Sequence, residues 1–330
     1  MTYKKAVSLF LVINLILIGG GIFVRIALQN YVCDVDRATW ITKAKMIDQL
    51  DDTYHGDIIL GTSKALALNP QYLNQKYGID IINLSAGGAN PPTIYFFLKR
   101  LLNNNVKPHK IYIEISPENL KNDTDINNAL GERYLRFLAN YNEAVELDEY
   151  YPVSLQKYKR MHTFPYPDYF CKKWSTLLLG SYKRFSTGFS DSKIYNALES
   201  NGGFYIFGKE TIDFSSIDIS TDEKHIKDFE KNYDMNDVPY ISVSEIYLDK
   251  IITLLEENHI DYSFFFSPFP KSRDPQKIFG RSESFYQKIS PNRIDKQLLF
   301  LDDEYFVDQA HLNYKGSILY NEYFSHRFYE

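Results

Sequence analysis

Three side chains in this sequence have the types and settings to share one reaction. Ser63 follows the apolar run Ile58-Ile59-Leu60 and the pair Gly61-Thr62. The run is β-prone, Gly61 supplies a turn, and the chain from Lys64 onward is compatible with a helix. Such a strand-turn-helix exposes a hydroxyl at the carboxyl end of a strand, beside backbone N–H groups that stabilise developing negative charge. Near the other end, Asp308-Gln309-Ala310-His311-Leu312-Asn313 sets a carboxylate three residues before an imidazole. A serine needs a base to take its proton, and that base needs an orienting acid. Read singly, each residue is commonplace: a serine after a strand often caps a helix, and a lone histidine is usually a surface or core residue. Asp302 and Asp303 are competing carboxylates, but they crowd the end of the preceding strand.

The elements that must position these groups alternate. Strands are expected at residues 57–60, 79–84 and 110–115, with helices over 69–76 and from Pro91-Pro92 to 103. Pro92 suits a first helical turn, and Ile94, Phe97, Leu98, Leu101 and Leu102 form its core-facing stripe. The rhythm returns with a helix at 242–258, a strand at 261–266 stopped by Pro268 and Pro270, a loop and helix over 273–288, a strand at 297–301, and a closing helix at 314–328. This pattern predicts an α/β fold: a parallel sheet with helices on both faces. Ligands bind such sheets beyond the carboxyl ends of the strands. Ser63 and the Gly87-Gly88 loop both fall at that edge. Residues 120–235 break the rhythm with polar turns and short aromatic runs, including an expected helix over 168–185 that carries Phe170, Trp174, Leu177, Leu178 and Tyr182. This stretch is either a cap or substrate groove on the catalytic edge, or a purely structural subdomain.

Three spaced blocks, Gly61-Thr62-Ser63, Asn83-Leu84-Ser85-Ala86-Gly87-Gly88 and Asp308-x-x-His311, resemble those of the SGNH (GDSL-like) hydrolase family. The resemblance covers about residues 55–119 and 240–328. It implies a flavodoxin-like three-layer α/β/α domain and a catalytic triad of Ser63, Asp308 and His311. The imidazole would serve as general base and then general acid, with Asp308 fixing its tautomer. The oxyanion hole would comprise the backbone N–H of Ser63 and that of Gly88, with Gly87 as runner-up. The family's third donor is an asparagine in a Gly-x-Asn after the third strand. Ser116-Pro117-Glu118-Asn119 departs from that pattern, leaving Asn119 or Asn90 for the role. Together with an N-terminal anchor and a long middle insertion, the blocks resemble the membrane-tethered branch that acylates envelope polysaccharides and teichoic acids, commonly beside a membrane-bound O-acyltransferase. The implied activity is that of a serine esterase or O-acyltransferase acting on acetyl-like groups of an envelope polysaccharide. Two other readings stay open: a catalytically silent scaffold that binds a glycan or an acyltransferase partner, and a plain secreted lipase-like esterase.

The anchor is read directly. Residues 6–24 run without a charge between Lys4-Lys5 and Arg25. As a helix this spans roughly 28 Å, the hydrocarbon thickness of a bilayer, and the leading lysines favour a cytoplasmic N-terminus with the remainder extracytoplasmic. Gly19-Gly20-Gly21 keeps a cleaved signal peptide as the alternative. The expected division is therefore anchor (1–29), stalk or packed leading helix (30–55), first α/β half (56–119), insertion or cap (120–238) and second half (239–330). A net charge of −5 gives no reason to expect nucleic acid. Aromatic residues make up 16%, with 27 tyrosines, which suits either sugar contacts or a compositional bias. Cys33 and Cys171 allow one bridge or two unrelated thiols. His225 and His259 lack ligand-spaced partners, no glycine-rich phosphate loop is present, and neither metal nor cofactor is expected. Glu114 and Glu118 could mimic a glycosidase pair, although carboxylates at a strand edge are usually solvated or paired.

Overall fold

The computed structural model describes residues 3–29, 35–115, 134–135, 138–151, 154–163, 198–206, 243–272, 289, 291–295, 297–308 and 310–330. Asn119, both cysteines, His225 and the helices expected over 168–185 and within 273–288 lie outside them.

The chain is an α/β protein preceded by one long apolar helix. Helix α1 (Tyr3–Gln29) contains an 18-residue window, Tyr3–Gly20, of mean hydropathy 1.5, long and apolar enough to cross a membrane and buried nowhere against the rest of the chain. Helix α2 (Val35–Gln49) follows. Of the two roles that the sequence allows this segment, stalk or packing, the structure shows packing: Trp40 and Ile47 are fully buried in the main core.

Four strands, β1 (Asp57–Leu60), β2 (Ile81–Asn83), β3 (Lys110–Glu114) and β4 (Asp261–Phe265), form a sheet in the order β2-β1-β3-β4. Every pairing is parallel, with Ile58 beside both Ile82 and Ile111, and Ile113 beside Phe264. A parallel sheet is covered on both faces, which explains why its strands are unbroken apolar runs. The two-residue period sorts their side chains. Ile58, Leu60, Ile111, Ile113 and Phe264 join one cluster with α2, α4 (Pro91–Asn103) and α7 (Val243–Glu257). Ile59, Tyr112 and Phe265 join another with α3 (Pro70–Tyr77) and α8 (Tyr314–Tyr329). Within the middle segment, α5 (Tyr141–Asp148) and α6 (Ser154–Thr163) also pack on the first cluster. Asn140 and Glu143 close the start of α5 as a reciprocal capping box.

The strand expected at 297–301 is reduced to β6 (Phe300–Leu301) and does not extend the main sheet. It pairs in parallel with β5 (Phe269–Pro270) in a separate two-stranded sheet. Pro270 halts β4's direction as expected, yet it fits this small ladder. The donors there are the N–H groups of Phe269 and Lys271, to Leu299 and Leu301 O, so the missing proline N–H costs nothing.

Candidate functional site

Beyond β1 the chain turns sharply. Gly61 is required there, because a Cβ on it would lie 2.6 Å from the Cβ of Glu114. Glu114 sits at the end of β3, fully buried, and its Oε2 accepts from the backbone N–H of Thr62 at 2.9 Å. Thr62 Oγ1 in turn accepts from Lys64 N at 3.2 Å. The turn presents Ser63 half-buried and passes into a 3-10 turn at Ala65–Ala67.

The neighbouring loop continues the β1–β2 ladder past the sheet. Leu84 N donates to Ile59 O at 2.8 Å and Ala86 N to Gly61 O at 3.0 Å. The chain runs on from Ala86 into Gly87-Gly88, so this pair lies on the loop adjoining the serine turn. Gly88 has φ of +71°, a left-handed conformation that suits glycine. Buried Asn83 braces both loops: its Nδ2 donates to Ala65 O at 2.7 Å and Leu68 O at 2.9 Å, and its Oδ1 accepts from Ser85 N at 3.0 Å. Among the described residues, the N–H groups of Ser63 and Gly88 meet no acceptor. Asn90, before α4, is buried, and its Oδ1 accepts from Thr93 Oγ1 at 3.2 Å.

The third loop brings the imidazole. Phe306 and Leu312 form an antiparallel bridge, and Val307 N donates to His311 O at 2.8 Å, so residues 306–312 close on themselves. Inside, Asp308 Oδ1 accepts from the N–H groups of Ala310 and His311, each at 2.8 Å. Its Oδ2 lies 2.7 Å from His311 Nδ1. The opposite ring nitrogen, Nε2, lies 2.8 Å from Ser63 Oγ. With Nδ1–H donating to the carboxylate, Nε2 is the lone-pair nitrogen facing the hydroxyl. Burial pushes the Asp308 carboxyl upward. The hydrogen bond and charge of His311 and the two backbone donors outweigh that and hold it below the usual carboxylate range.

Side chains 248 positions apart meet here because α8 is fastened to the turn after Ser63. Ser317 Oγ donates to Ala67 O at 2.7 Å, Asn321 Nδ2 to the same oxygen at 3.1 Å, and Asn69 N to Asn321 Oδ1 at 2.7 Å. Asn313 caps α8 through Gly316 N at 3.0 Å. A Cβ on Gly316 would approach Tyr305 O to 2.3 Å, so the helix start and the histidine loop are in backbone contact.

The structure thus brings Ser63, Asp308 and His311 into one chain of hydrogen bonds, with Gly88 on the adjoining loop, while Asn119 lies outside the described residues. Among those residues, no group of three or more His, Cys, Asp or Glu is arranged to hold a metal ion. A family model described as Protein of unknown function (DUF1574) matches residues 25–302, most of the chain. The chain belongs to the DUF1574 family. None of the curated proteins compared with it matches. The stretch matched to DUF1574 holds Ser63, Gly88 and Glu114 and stops short of Asp308 and His311.

Sequence reasoning in this DUF1574 chain missed the supports. From sequence alone, Glu114 could be half of a glycosidase pair. It is instead a buried brace for the serine turn, with Oε1 unpartnered among the described residues. Burial pushes its carboxyl above the ordinary range, against the pull of the Lys64 charge and of Thr62. Its place at the end of an apolar strand, beside a glycine turn, was the available signal. Trp40 and Lys43 left no signal of local spacing.

Proposed function

We propose that this chain is a single-pass, membrane-anchored serine esterase or O-acyltransferase of the SGNH type, with a three-layer α/β/α domain on the outer side of the membrane. The observation that carries the reading is the 2.8 Å contact from His311 Nε2 to Ser63 Oγ, with Asp308 2.7 Å behind the ring. A nucleophile, a base and an orienter in sequence have one well-understood use, which is acyl transfer through a covalent intermediate.

In the first half, Ser63 Oγ bonds to the carbonyl carbon of an ester or thioester while its proton passes to His311 Nε2. The N–H groups of Ser63 and Gly88 receive the oxyanion. The carbonyl–leaving-group bond breaks, and the imidazolium protonates the departing alcohol or thiol. In the second half, His311 takes the proton of an incoming sugar hydroxyl or water, whose oxygen bonds to the acyl carbon. The Ser63–acyl bond breaks, and Oγ recovers the proton. Asp308, an ionised carboxylate, favours the imidazolium at both stages. The acyl-bearing substrate is an envelope polysaccharide or a related glycan. Helix α1 holds the enzyme at the bilayer, and a membrane-bound O-acyltransferase is the natural donor-side partner.

The test uses the detergent-solubilised full chain, a fluorophosphonate probe and acetyl-ester substrates. Wild type should lose fluoride from the probe as Ser63 Oγ bonds to phosphorus. Ser63→Ala should not label, and His311→Ala should lose ester turnover by on the order of 10⁴-fold or more. A wild-type protein that neither labels nor turns over ester would replace this reading with the silent scaffold.

A further inference from the structure

Helix α2 holds the Gly87-Gly88 loop from behind at two points. Trp40 and Lys43 stand three positions apart and therefore share one face of the helix. Both are fully buried. The indole Nε1 of Trp40 donates to Gly87 O at 2.9 Å. Lys43 Nζ donates to Asn83 O, at the start of the same loop, and to Gly203 O in the middle segment. One helix face thus fixes both the first and the fifth residue of the stretch 83–87.

The Gly87 carbonyl is half of a peptide unit whose other half is the N–H of Gly88. That unit is planar, and no described peptide bond is cis, so its C=O and N–H point in opposite directions. A donor that fixes the carbonyl therefore fixes the line along which the Gly88 N–H points. It also polarises the amide and makes that N–H a stronger donor. Trp40 cannot easily shift, because its ring packs edge-on against Phe97 at 5.8 Å and Tyr134 at 6.1 Å. Gly88 itself, at φ +71°, has no side chain with which to hold its orientation.

We propose that Trp40 is a positioning residue for the acyl-transfer site: its indole N–H sets the plane of the Gly87–Gly88 peptide, so that the Gly88 N–H faces the oxyanion, while Lys43 pins the loop's other end. This rests on the reading of Ser63 as an activated nucleophile. It makes α2 part of the catalytic apparatus. Oxyanion stabilisation requires donors that are already oriented before charge develops, and one such donor typically governs a rate by about 10²- to 10³-fold.

The experiment follows fluorophosphonate labelling of the full chain in detergent, separating the rate from the final extent, alongside kcat and KM on an acetyl ester. The variants are Trp40→Phe and a chain with β-(3-benzothienyl)alanine at residue 40, which keeps the bicyclic shape but replaces N–H with sulfur. Both should label to the wild-type extent with KM nearly unchanged, while the labelling rate and kcat fall by about 10- to 100-fold. Wild-type rates in both variants would overturn the role of Trp40 and leave Ser63 as nucleophile. A lower extent with an unchanged rate in the reactive fraction would also overturn it, since Trp40 would then serve folding alone. Absence of labelling in the wild type would remove the underlying nucleophile assignment, a result distinct from both.

Discussion

Glu114 is an unusual brace for a serine turn, because a buried carboxylate is a costly way to accept one backbone N–H. Its carboxyl is raised above the ordinary value of 4.5 by burial, with the Lys64 charge and the Thr62 hydrogen bonds pulling the other way. The folded chain therefore holds that proton more tightly than the unfolded chain does. A group of this kind contributes stability in full below its unfolded pKa, and the contribution is lost as pH rises through the folded value. Glu114→Gln keeps an oxygen for Thr62 N–H and removes the ionisation. The difference in melting temperature between the two proteins should be constant below about pH 4.5. The variant should gain on the wild type as pH rises, then level off. A difference that does not vary with pH would show that the carboxyl is not desolvated in the folded chain. The candidates Ser63, Asp308 and His311, which the structure joins by hydrogen bonds, were legible from sequence because each sits in a short motif with local meaning: a glycine turn after an apolar strand, and a carboxylate three residues before a histidine. Asn83, Trp40 and Lys43 act instead through bonds to backbone atoms elsewhere, which imposes no spacing that a sequence can display.

Among the elements, α8 carries the most consequence for the site. Its Ser317 and Asn321 fasten the 3-10 turn after Ser63, and its first turn abuts the histidine loop. Asn321→Ala would leave Asn69 N without its acceptor and cost Ala67 O one of its two donors. Such losses sum to about 2–3 kcal/mol, or roughly a 3–4 °C fall in melting temperature for a chain of this size. Ser317→Ala, which removes a single donor, should cost less, and differential scanning calorimetry would rank the two. Equal and negligible shifts would mean that the tail and the serine turn are held by apolar packing alone. Helix and strand placement was readable wherever long apolar periodicity governed it, as in β1, α4 and α7. It was least readable at 297–301, where two prolines and a short ladder diverted the chain from the main sheet. The aromatic richness has part of its explanation here too. Tyr112, Tyr247, Tyr320, Phe96, Phe264 and Phe324 are all fully buried, so much of that composition fills the core on both sides of the sheet.

At the scale of the whole molecule, an apolar helix precedes an α/β domain with few residues between: α1 ends at Gln29 and α2 begins at Val35. None of the described side chains in the Tyr3–Gly20 window is buried, and burying such a surface in lipid gains roughly 25 cal/mol per Å². The full chain should sediment with membranes and resist alkaline carbonate, whereas a chain lacking residues 1–29 should be released. If the full chain is washed off by carbonate, α1 does not span the bilayer. Proteolysis of intact cells and of inverted vesicles would then report the side on which residues 35–330 lie.

The fastening of α8 onto the turn after Ser63 also has a temporal meaning. A polypeptide made from its N-terminus emerges with Ser63 placed 248 positions ahead of His311. Until residues 311–321 have docked, the hydroxyl has no neighbour to take its proton. On the proposed reading, the nascent protein carries an idle serine until the segment with His311 has been made and has docked.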